Sequence, residues 1–135
     1  MTRILINNRQ TAARPDKPRL KALARWLLGR AAVMSPGFAL RELSLALVDD
    51  AGICPVHERF LGRPGATDVI SFSYPDVLGA ELVVNVQRAM EESRRRRGDP
   101  SRELALYVAH GIQHLAGRDD ATPAQRRSMQ RVQRA

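Results

Sequence analysis

The sequence predicts an α+β fold, a small mixed sheet of about four strands covered by helices. Short apolar runs with strand character alternate with amphipathic stretches at helical spacing, and turn residues separate them. Two of the runs, Asp68 to Tyr74 and Glu81 to Val86, are joined by a loop containing Pro75, Asp76 and Gly79, which favours an antiparallel hairpin.

Arg3 to Asn7 reads as the first strand, and Arg14-Pro-Asp-Lys-Pro18 punctuates it. Leu20, Leu23, Ala24, Leu27 and Leu28 then recur as one face of a helix that should end near Gly29 or Arg30. After the loop Ser35-Pro-Gly37, Leu43 to Val48 forms a strand ending at Asp49-Asp50, and a short helix covers Pro55 to Leu61. Gly62 to Gly65 is turn-like and leads into the hairpin. Gln87 to Arg97 is helical. Asp99 as N-cap and Pro100 at the first helical position open the next helix, whose Leu104, Val108, Ile112 and Leu115 make it mostly buried. Thr122-Pro-Ala-Gln125 resembles a capping box and starts a short C-terminal helix. Trp26 and Phe38 read as core residues.

A chain of 135 residues with 44% apolar content is expected to form one domain over residues 1–135. Its one cysteine, Cys54, excludes an intramolecular disulfide framework and a thiolate zinc cluster. The opening residues lack the apolar stretch of a signal peptide, and no run approaches the ~18 apolar residues of a membrane span, so a cytoplasmic location is expected. The 22 basic residues against 14 acidic ones give a formal charge of +8, and all but Lys17 and Lys21 are arginines. Such a field attracts polyanions, and the planar guanidinium suits phosphate oxygens, which makes RNA or DNA the natural partner class. The densest run, Arg94 to Arg97, reads equally as a solvated helix end or as a phosphate contact.

The most informative stretch runs from His110 to Asp120. The chain has three histidines, and two of them, His110 and His114, stand one helical turn apart on the same face, where both rings can reach one ion. Gly117 can break the helix, so that Asp119 or Asp120 folds back to supply a third ligand and leaves a fourth position for water. In the zinc-protease motif H-E-x-x-H the glutamate is the general base; here Gly111 holds that place, which argues against a thermolysin-like peptidase. A bound zinc lowers the pKa of its water from about 15.7 to near 7, so hydroxide can form without a neighbouring base. Glycine inside a helix costs about 1 kcal/mol against alanine, so Gly111 implies that another backbone or a ligand comes close. His57 reads as a surface helix residue. Thr67, Asp68, Ser71 and Ser73 read as completing turns in preference to facing a phosphate.

These residues resemble the motif H-G-x-x-H-L-x-G-x-D-H of the YbeY family of bacterial rRNA-maturation endoribonucleases. Gly65 to Phe72 is similar to the family's P-T-D-V-L-S-F, Ala80 to Asn85 to its G-D-I-x-I-S strand, and Arg102-Glu103-Leu104 to its R-E-L. The resemblance covers roughly Leu43 to Asp120. It implies a zincin-like histidine helix and a single-metal hydrolase, with zinc first and other divalent transition metals possible, that cuts single-stranded RNA in rRNA maturation and ribosome quality control. The small ribosomal subunit is the implied partner. The family's third metal-binding histidine aligns with Asp120, so the implied ligands are His110, His114 and Asp120, with Asp119 orienting them or exchanging roles with Asp120. The family's arginine aligns with Leu61, and Arg59 and Arg63 are the nearby candidates for phosphate contact. Glu81 matches an acidic position of the family that could help order the site. Two other readings stay open: a catalytically weakened module that keeps the metal and contacts rRNA or a ribosomal protein, and a hydrolase of amides or esters, which the charge argues against.

Overall fold

The computed structural model describes residues 1–117. The elements follow in the order β1 (Arg3–Asn8), α1 (Lys17–Met34), β2 (Glu42–Val48), α2 (Asp50–Leu61), β3 (Val69–Tyr74), a single 3-10 turn (Pro75–Val77), β4 (Gly79–Asn85), α3 (Val86–Arg95) and α4 (Pro100–Leu115). The sheet order is β1-β2-β4-β3. β2 pairs in parallel with β1 and β4, while β3 runs antiparallel to β4, closing the hairpin expected from its Pro/Gly connection.

Alternation along each strand divides the interior in two. Ile4, Leu43, Leu45, Leu47, Ala80, Leu82 and Val84 face the larger core, shared with Leu20, Ala24 and Leu28 of α1, Val86 and Ala89 of α3, and Leu104, Val108 and Ile112 of α4. Ala46, Val48, Ile70, Phe72 and Val83 face the other way, onto Ile53 of α2. Phe60 of α2 meets Phe72 edge to face there, with ring centroids 5.3 Å apart. Among the described residues, three helices thus cover one face of the sheet and one helix covers part of the other.

Several boundaries differ from the sequence expectation. α1 continues five residues beyond Gly29, to Met34. Gly29 is exposed and a side chain there would meet nothing within 4 Å, so the glycine carries only its propensity cost while Leu28 and Ala31 keep the apolar stripe going. α2 begins at Asp50, well before Pro55, because the Asp49 carboxylate caps the Gly52 N–H at 2.8 Å. Pro55 is tolerated inside the helix: the hydrogen bond it removes would have ended on the carbonyl of exposed Ala51, which water can reach. Trp26 is not a core residue. It lies 200° around α1 from fully buried Ala24 and is 59% exposed. Phe38 is half-buried and packs on the edge of the larger core. The C-terminal helix expected from Thr122 lies outside the described residues.

Candidate functional site

α4 is built to be held rigidly. Asp99 caps it by accepting the Ser101 N–H at 3.0 Å, and Pro100 occupies its first position. Leu104, Tyr107, Val108, Gly111 and Ile112 are buried against the sheet. At 100° per residue, His110, His114 and Glu103 fall on one flank, next to Tyr107 at the margin of that buried arc. His110 is exposed and His114 half-buried. Their ring centroids stand 4.1 Å apart with the planes tilted by 53°.

Gly111 explains why the two rings sit where they do. A Cβ placed on it would lie 2.8 Å from Leu82 Cδ2 and 3.2 Å from Val69 Cγ2. The close approach that the glycine implied therefore comes from side chains of β4 and β3, not from another backbone or a ligand. The Ser71 hydroxyl donates to the Gly111 carbonyl at 3.2 Å across the same contact. Helix and sheet are thus clamped one residue after His110 and three before His114. The helix closes with the Gly117 N–H on the His114 carbonyl at 3.0 Å, and Gly117 takes the left-handed φ of +73° that favours glycine. The helix stop read from the sequence is present. Asp119 and Asp120 lie outside the described residues, and among the described residues no three His, Cys, Asp or Glu side chains gather as a metal-ligand group. The imidazole pair fits the first half of a single-ion site, because rings at i and i+4 this close can converge on one centre.

Leu61, where the resemblance places the family's arginine, is half-buried and packs on the smaller core. Arg59 is exposed, with its guanidinium 5.4 Å from the centroid of the Phe60 ring, and Arg63 is exposed just past Gly62, whose left-handed φ of +65° ends α2. His57 pairs through Nδ1 with the Gly65 carbonyl at 2.9 Å, fastening the loop that carries Arg63. Among the polar residues of the next segment Asp68 completes local structure, accepting its neighbour Val69 N–H at 2.7 Å, whereas Ser71 does not complete a turn but reaches across to the Gly111 carbonyl. Glu81 sits on the α2 face of the sheet, opposite to α4, so it does not reach the histidines. Arg95 and Arg96, half of the basic run, are engaged by the Glu92 carboxylate, in keeping with a solvated helix end.

Asn85 is the residue that pattern reading passed over. It is fully buried at the end of β4 and uses its whole amide: Nδ2 donates to Asp50 Oδ1 at 2.6 Å and to the Thr67 carbonyl at 3.1 Å, while Oδ1 accepts the Arg88 N–H at 3.1 Å and caps α3. One side chain thereby ties α2, the approach to β3 and α3 together. The sequence signal is a polar amide closing the apolar run Leu82 to Val84. Tyr107, buried beside the histidine flank, has its hydroxyl pKa pushed up from 10.0 by burial first and then by the Glu103 carboxylate.

The fold and this site define a class: an α+β protein in which a four-stranded mixed sheet seats a helix bearing an i, i+4 imidazole pair above a left-handed glycine stop. The sequence matches the family model described as endoribonuclease YbeY over residues 5–135. Similar proteins named endoribonuclease YbeY include those of Frankia alni, 32% identical over 96% of this chain and 78% of that one, and of Beutenbergia cavernae, 36% identical over 88% and 85%. The solution structure of a Thermotoga maritima protein superposes with a TM-score of 0.55 at 25% identity, covering 98% of this chain and 89% of the other. The chain belongs to the YbeY family.

Proposed function

We propose that this chain is a single-strand-specific endoribonuclease of rRNA maturation and ribosome quality control, acting in the cytoplasm on single-stranded RNA or rRNA with the small ribosomal subunit as its partner. The observation that carries the reading is the imidazole pair, seated by Gly111 against Leu82 in a chain of the YbeY family. His110, His114 and Asp120 would hold one divalent ion, zinc first, with Asp119 orienting a ligand. A bound ion of this kind supplies a Lewis acid and an activated water at neutral pH. The chain's own residues do the rest. The Gly111 contact with the sheet keeps the two rings in register, so little reorganisation is needed when substrate arrives. Arg59 and Arg63, exposed at the end of α2, are free of the core and supply positive charge for RNA phosphate. The net charge of +8 draws the polyanion to the surface.

The test is cleavage of a labelled single-stranded RNA by metal-analysed protein beside its His114→Ala variant. Cleavage that disappears with His114 supports the reading. A second reading, a metal-holding module that contacts rRNA or a ribosomal protein without turnover, is favoured by one observation: Leu61, where the resemblance places the family's arginine, is committed to apolar packing. One ion per chain with no cleavage would select it.

A further inference from the structure

Helix α1 carries Lys17, Arg19, Lys21, Arg25 and Arg30 and no carboxylate. Its outward stripe, opposite Leu20, Ala24 and Leu28, consists of Arg19, Ala22, Trp26, Gly29, Arg30 and Val33, all exposed. Trp26 is the chain's only tryptophan, is 59% exposed, and has the Arg30 guanidinium 5.1 Å from its ring centroid. Ala22 and Gly29 on either side add almost no bulk, and nothing lies within 4 Å of where a Gly29 side chain would start. An indole that has left the core, bordered by small residues and flanked by arginines, is the composition that holds single strands: the ring stacks on any base while cations take the phosphates.

We infer that the outward face of α1 is a second RNA contact, in which one base stacks on Trp26 while Arg30 beside it and Arg19 further along the strand hold phosphates. The inference rests on the endoribonuclease reading for its ligand class. The uncompensated positive charge of the helix selects a polyanion and opposes pairing of two such faces. α1 and α4 pack against each other on the same face of the sheet, so both belong to one side of the molecule.

The sole tryptophan makes the test direct. The full chain carrying His114→Ala, which keeps the strand intact, is titrated with an unlabelled single-stranded RNA of about twelve nucleotides while Trp26 emission is read. Saturable, salt-sensitive quenching is expected. By anisotropy of an end-labelled strand, Trp26→Ala should weaken binding about tenfold and Trp26→Phe, which keeps a ring, much less. With His114 restored, Trp26→Ala should raise KM for RNA by a similar factor and leave kcat in place. The inference is overturned if the strand binds with Trp26 emission unmoved, if Trp26→Ala binds as tightly as the parent, or if emission shifts with protein concentration alone, which would mark a second copy as the occupant. Binding and quenching without cleavage by the His114 protein would sustain the α1 contact while the endoribonuclease reading fails. Cleavage with an unchanged KM in Trp26→Ala would do the reverse.

Discussion

The Asn85 amide donates to the Asp50 carboxylate at 2.6 Å, linking the last residue of β4 to the first turn of α2. Replacing Asn85 by Leu would strand the Asp50 carboxylate and the Thr67 carbonyl and leave α3 without its cap. A loss of about 2–4 kcal/mol is expected, read as a lower urea midpoint with an unchanged slope. Asn85→Asp should also be destabilised, because it sets a carboxylate against Asp50. Part of that loss should return as pH falls and one of the two carboxyls takes up a proton.

Gly111→Ala should cost about 1–3 kcal/mol, because the new methyl meets Leu82 at 2.8 Å and the helix must lift. Leu82→Val in the same chain should recover part of this by withdrawing the crowded methyls. If Gly111→Ala alone keeps full stability, the tight seating of α4 is wrong.

Raising pH tests Tyr107. Its folded pKa lies above the unfolded value of 10.0, so its contribution is fully present below about pH 10 and is lost as pH rises from there through the folded pKa. Tyr107→Phe should therefore flatten the alkaline fall of the melting temperature while leaving the neutral value close to that of the parent. Equal alkaline slopes in the two proteins would exclude Tyr107 as the group responsible.

Metal analysis tests the histidine pair. His110→Ala should lose stoichiometric ion, and retention of one ion per chain would remove these residues from the site. Chelation of the parent should abolish cleavage and lower the melting temperature only slightly, since Gly111, Ser71 and the capping bonds hold α4 without an ion.

Arg59→Ala and Arg63→Ala probe how phosphate charge is met next to Leu61. At least one should slow RNA cleavage at subsaturating RNA by about tenfold, as expected when a charge-assisted contact to phosphate is lost. Parental rates in both variants would show that neither stands in for the arginine.

The four strands, the hairpin, the cap at Asp99 and the stop at Gly117 are local features, written in alternation, cap chemistry and glycine placement. Asp49 nonetheless shows the limit of such reading. It was legible as a turn residue, yet whether α2 starts there or at Pro55 depends on whether a proline in the helix can shed its lost hydrogen bond to water. Trp26 failed for the opposite reason: tryptophan is buried on average, and only its angle relative to Ala24 puts it outside. The imidazole pair was legible from spacing alone. Asn85 and Ser71 were not, because each works through partners far along the chain, Asp50 at 35 residues' separation and Gly111 at 40.

The two sides of the sheet answer to different constraints. Leu61, Arg59, His57 and the turn to Gly65 belong to the side that α2 covers, whereas the histidine helix is fixed from the other side by Leu82, Val69 and Ser71. Substitutions around Leu61 can therefore accumulate without moving the imidazoles, so the two sides of the sheet are free to change in descent independently of each other.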